Sequence, residues 1–151
     1  MSDFGHRFVI DTNALSQLGR KRRASPFVLD NAVIPEEVMH EAAGFPDIAA
    51  LHDNVHPTTP RVLHWLSQIM ETVPSGDTSL IDLYANRGNA DPLVVACVLE
   101  GQEHDNQMLL SPEWVVVTAD EAVRDKAQEF GLTVLSNSEF AVLIDGNDVG
   151  S

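Results

Sequence analysis

The chain has 151 residues, enough for one domain with a genuine buried core. Its 44% hydrophobic and 21% charged composition excludes the disordered class, and no apolar run approaches a membrane span of about eighteen residues. Nine basic residues against twenty-three acidic ones leave a formal net charge of −14, which argues against a broad, non-specific grip on nucleic acid. The one cysteine, Cys97, excludes an internal disulfide and suits a reducing compartment. The opening Met1-Ser2-Asp3-Phe4-Gly5-His6-Arg7 lacks the basic-then-apolar layout of a signal peptide, so the expectation is a cytoplasmic protein with no membrane partner.

In chain order, His6-Arg7-Phe8-Val9-Ile10 reads as a buried strand ending at Asp11, short and apolar through Phe8-Val9-Ile10. A first helix separates it from the basic run Arg20-Lys21-Arg22-Arg23. Ala32-Val33-Ile34 is a shorter strand candidate. Pro35 suits the first position of a helix over Glu36 to Ala43, with Gly44 as its stop. Arg61 to Thr72 carries Val62, Leu63, Leu66, Ile69 and Met70 at helical spacing. Pro92 to Glu100 is apolar almost all round and predicts a buried helix. Trp114-Val115-Val116-Val117-Thr118 is a second β-branched strand, leading to Asp120. An amphipathic helix over Glu121 to Phe130 is closed by Gly131, and Leu132-Thr133-Val134-Leu135 is a further strand candidate. Phe140 to Ile144 reads as a short last helix, before a Gly/Asn/Asp-rich end expected to form a flexible tail over 146–151, so that 1–145 is one domain. Strands alternating with helices imply a parallel sheet covered on both faces, an α/β/α arrangement. Ligands of such folds bind outside the carboxyl ends of the strands, where Asp11 and Asp120 would stand.

Each of Asp11, Asp91 and Asp120 precedes a helical segment, where aspartate is a favoured N-cap, and Glu41 taken alone is an ordinary solvated helix residue. Together they admit a second reading. Like charges clustered at a crevice repel by about 4 kcal/mol per pair at about 4 Å and an effective dielectric near 20, and a divalent cation offsets that cost. Oxygen ligands without His or Cys partners point to Mg²⁺ or Mn²⁺ rather than zinc. An ion held there would lower the pKa of a bound water and make it a nucleophile.

Four segments carry a resemblance. Phe8-Val9-Ile10-Asp11-Thr12-Asn13-Ala14-Leu15 resembles the opening motif of the PIN-domain nucleases, a strand followed by D-T-N/S. Ile34-Pro35-Glu36-Glu37-Val38-Met39-His40-Glu41 is similar to their second motif, Asn89-Ala90-Asp91-Pro92-Leu93-Val94-Val95-Ala96 to the third, and Val116-Val117-Thr118-Ala119-Asp120 to the fourth. The motifs stand in the family's order and span nearly the whole chain. The resemblance implies a three-layer α/β/α fold with a mainly parallel sheet and a site for one or two Mg²⁺ or Mn²⁺ ions. Carried over by position, Asp11, Glu41, Asp91 and Asp120 would be the metal-binding acids. Asn13 and Thr118 would orient carboxylates or a bound water. It further implies cleavage of RNA and, for a one-domain member of this length, a toxin paired with an antitoxin and a homodimer. Glu37, one turn before Glu41, is an alternative second-motif acid, and Asp125 is a candidate fifth acid or else a solvated helix residue.

The basic run Arg20, Lys21, Arg22 and Arg23 has two readings: a solvated helix end favoured by the helix dipole, or a local RNA-binding patch on an acidic chain. Arg87 is a further RNA-contact candidate, whereas Trp65 and Trp114 read as core. His6, His40, His52, His56, His64 and His104 are scattered, and His40 reads as a surface residue beside Glu41. A phosphatase-type nucleophilic aspartate would want a second aspartate where Asn13 stands. A dinucleotide fold would want Gly-x-Gly-x-x-Gly after the first strand, which is lacking. The non-enzymatic alternative is a catalytically inactive PIN-like module that binds a basic protein partner.

Overall fold

The computed structural model describes residues 5–72 and 90–149, with the backbone alone for Ala90, Asp91, Asp148 and Val149. Arg87 and the side chain of Asp91 therefore lie outside the described residues. Five parallel strands form the sheet: β1 (His6–Ile10), β2 (Ala32–Pro35), β3 (Val55–His56), β4 (Glu113–Val117) and β5 (Thr133–Leu135), in the order β3-β2-β1-β4-β5. The chain steps outward from β1 to β2 and β3, then returns to β1's other side for β4 and β5. The order reverses between β1 and β4, whose register pairs Ile10 with Val117. Asp11 N–H extends that ladder to the Val117 carbonyl at 3.3 Å.

Helices cover both faces, giving the three-layer α/β/α architecture expected. On one face lie α1 (Thr12–Arg23), α2 (Pro26–Asn31) and α7 (Asn137–Val149), with α7 against both others and α2 against β1 and β2. Phe8 of β1, Phe27 of α2 and Phe140 of α7 meet there, with ring centroids 5.0 to 6.5 Å apart. The other face carries α4 (Pro60–Glu71), α5 (Ala90–Asp105) and α6 (Glu121–Glu129), with α5 across β4, β1 and β2. Leu93 through Val98 of α5 are all buried, so a helix apolar on every side is here packed on every side. Burial also pushes the Cys97 thiol up to about 12. Gly101 lets α5 approach the sheet: a Cβ there would run into the Trp114 ring. Among the described residues, no helix is long and apolar enough to cross a membrane.

Where the structure departs from sequence expectation, short-range chemistry explains most of it. α2 escaped notice, although Ser25 caps it by accepting from Phe27 N–H at 3.2 Å and Pro26 fills its first position. Pro35 ends β2 and caps α3 (Glu36–Glu41) rather than opening it, and α3 stops before Ala43. The two-residue β3 and the 3₁₀ segment Ile48–Asn54 are too short for a periodic signal. The last helix runs from Asn137 to Val149, well beyond Phe140 to Ile144, so part of the expected tail is helical.

Candidate functional site

The crevice between β1 and β4 gathers polar side chains delivered by three chain turns. Asp11 leaves β1 as the N-cap of α1 and is only 1% exposed. Its Oδ1 accepts from Ala14 N–H at 2.8 Å, and its Oδ2 accepts from the Thr118 hydroxyl at 2.5 Å. Thr118, the residue after β4, is also buried. Its Oγ1 accepts in turn from Asp120 N–H at 3.0 Å. Asp120 caps α6 through Oδ1, which accepts from Val123 N–H at 3.1 Å. One hydroxyl thus couples the Asp11 carboxylate to the backbone that sets Asp120. Both aspartates stand at the positive ends of helices, which offsets their charge by about 0.3–1 kcal/mol each.

Glu41 reaches the same neighbourhood from α3: its Oε1 accepts from the Thr12 hydroxyl at 2.5 Å, and Thr12 directly follows Asp11. Glu37, a turn earlier, is half-buried. Asp91 stands in the first turn of α5. At the other end of α5, Gln102 and Asp105 bond Trp114 at the amino end of β4. The helix start, roughly 20 Å along its axis, therefore lies toward the carboxyl edge of the sheet. Among the described residues, no three His, Cys, Asp or Glu side chains come close enough to hold one metal ion.

Asn13 is exposed, and its Oδ1 accepts from Asn137 Nδ2 at 3.1 Å, so its partner is an amide rather than a carboxylate. Asp125 is exposed on α6, and His40 is exposed on α3. Trp114 belongs to the core, and Trp65 is half-buried with its indole N–H donating to Glu103.

The basic run divides. Gly19, at φ 78°, breaks α1 just before it. Arg23 turns inward, 8% exposed, with two hydrogen bonds to Asp47, one to the Leu15 carbonyl, and its guanidinium over the Phe45 ring. Asp47 is held below the ordinary carboxylate range by that bonding. Arg22 makes a two-pronged pair with Asp145, at 3.0 and 2.8 Å. Arg20 and Lys21 remain exposed.

A cavity of about 550 Å³ lies elsewhere, lined by Phe8, Phe27, Val115 and Leu143 with His6 and Glu113 at the amino ends of β1 and β4. It holds none of the acids above, so volume and chemistry point to opposite ends of the sheet. We take the carboxyl edge as the site, because the hydrogen-bonded acids are there. Two contributors had gone unassigned. Thr12 was inside a recognised motif without a role. Asn137 follows β5, where a parallel sheet must deliver its loop to the same edge. No protein-family model matches the chain, and none of the curated proteins matches it either.

Proposed function

We propose that this chain is a divalent-metal-dependent nuclease that hydrolyses RNA phosphodiester bonds on a PIN-like version of the three-layer fold. The observation that carries the reading is the hydrogen-bonded series Asp11–Thr118–Asp120 across the β1/β4 switch point, with Glu41 tied to the same strand end through Thr12. The donor set suits Mg²⁺ or Mn²⁺, being all carboxylate oxygen. The bonds given above to Glu41 and Asp120 each engage one carboxylate oxygen. Asp11, Glu41, Asp91 and Asp120 are the residues that would hold the ion. Bound there, it supplies Lewis-acid activation of a water and neutralises charge on the phosphate.

The remaining work falls to the chain itself. Thr118 and Thr12 hold the carboxylates in orientation, so little rearrangement accompanies binding. A carboxylate at the crevice takes the proton from the attacking water. Arg20 and Lys21 supply phosphate contacts outside the acidic crevice. The test is Mn²⁺ titration and RNA cleavage by wild type, Asp11→Asn and Asp91→Asn. Cleavage should fall by about a hundredfold or more in both variants, with weakened Mn²⁺ binding. Equal cleavage by all three rejects the assignment. An inactive binding module would take up no Mn²⁺ at this edge. The same reading carries a toxin role with an antitoxin partner and a homodimer, which co-purification with the product of the neighbouring reading frame and sedimentation would examine.

A further inference from the structure

We propose that Asn137 is a positioning residue that makes Asn13 a dedicated hydrogen-bond donor to a phosphoryl oxygen of the substrate, an inference that rests on the nuclease reading. The two residues are 124 positions apart, and Asn137 Nδ2 donates to Asn13 Oδ1 at 3.1 Å. A primary amide has one acceptor oxygen and two N–H donors. With its oxygen engaged, exposed Asn13, two residues after Asp11 in the first turn of α1, has its N–H donors to offer. Amide N–H groups do not ligate cations, so this pair addresses an anionic oxygen rather than the metal. In a phosphodiester, that oxygen is the non-bridging one.

Asn137 is not needed to start α7. Ser136 and Glu139 already close that end reciprocally: Glu139 Oε1 accepts from Ser136 N–H at 2.8 Å, and Ser136 Oγ accepts from Glu139 N–H at 3.1 Å. Moreover, Asn137 Oδ1 is buried without a hydrogen-bond partner among the described residues. A buried unsatisfied oxygen is unfavourable, and an apolar residue of similar size would avoid it. Stability alone thus gives no reason for an amide here, whereas orienting Asn13 does.

Asn137→Asp reverses the polarity, since a carboxylate accepts from Asn13 and leaves its oxygen unengaged. Asn137→Leu removes the bond and the orphaned oxygen together. RNA cleavage, Mn²⁺ affinity and thermal midpoint should be measured for wild type, Asn13→Ala, Asn137→Asp, Asn137→Leu and Asn13→Ala/Asn137→Leu. We expect kcat/KM to fall about tenfold in each single variant and no further in the double one, with Mn²⁺ affinity unchanged and the Asn137→Leu midpoint not lowered. Full cleavage by Asn137→Asp, additive losses, or Mn²⁺ affinity falling in step with cleavage would overturn the inference while leaving the nuclease reading in place. Should wild type neither bind Mn²⁺ nor cleave RNA, that reading fails, and the pair is judged by itself. In that case inorganic phosphate is titrated while the Asn13 side-chain amide is followed by NMR. A shift in wild type that Asn137→Asp abolishes supports the pair, and no shift in wild type refutes it.

Discussion

Thr118→Val asks whether a hydroxyl, rather than side-chain volume, holds the crevice together. The substitution keeps the shape of a 3%-exposed side chain and deletes one oxygen. Two bonds go with it: the donation to Asp11 Oδ2 and the acceptance from Asp120 N–H. A hydrogen bond to a charged, buried carboxylate is worth about 1.5–3 kcal/mol. The freed Asp120 N–H adds about 1 kcal/mol, the low end of the usual penalty because water reaches that half-buried turn. The extra methyl of valine returns about 0.8 kcal/mol. The expected net loss is about 2–3 kcal/mol, or a fall of roughly 5–10 °C in Tm for a chain of this size. Thr118→Ser is the control, since it keeps the hydroxyl and loses one methyl at about 1 kcal/mol. Urea unfolding followed by tryptophan fluorescence ranks the variants. If packing dominated, serine would be the costlier change and valine nearly neutral. Observing that order would refute the account of the crevice.

The basic run should respond unevenly. Arg23→Ala strands Asp47 half-buried and should cost about 2–4 kcal/mol in urea unfolding. Arg20→Glu with Lys21→Glu should change stability by less than about 0.5 kcal/mol, yet flatten the salt dependence of RNA binding by about 1.4 in log–log slope. Gly101→Ala should lower Tm measurably, by about 1–3 kcal/mol of stability, because the added Cβ would overlap the buried Trp114 ring and force it to shift. Glu103 titrates at about 2 rather than at its ordinary 4.5, chiefly through its bond from Arg61 and secondarily through Trp65. A lowered folded value means the stabilisation is present above the ordinary carboxylate range and is lost as pH falls toward about 2. The stability gap between wild type and Glu103→Gln should therefore close across that interval. The gap stays small throughout, because both partners stand partly in solvent.

Much of the frame was legible. β1 and β4 were readable because short apolar runs rich in β-branched residues have few alternatives to a doubly covered strand, and their ends set Asp11 and Thr118 at the carboxyl edge. α4, α5 and α6 announced themselves by period, by unbroken apolarity and by a closing Gly131. The site was legible as a set of residue types but not as a set of contacts. Nothing local to Thr12 indicates that its hydroxyl would reach Glu41, and nothing near Asn13 points to Asn137. The run Arg20 to Arg23 looked uniform, yet Gly19 turns the chain so that Arg23 faces Asp47 and Arg20 faces water.

Local chemistry by itself determined the alternation of strands and helices, and with it a parallel sheet whose carboxyl edge collects the acidic turns. Propensity, capping and periodicity act over a few residues and are written there. Only the tertiary structure decided which side chains meet: Thr118 with Asp11, Glu41 with Thr12, Asn137 with Asn13, Arg23 with Asp47. Those pairings depend on strand order and helix register, which burial of the whole core selects at once, and no short segment encodes them.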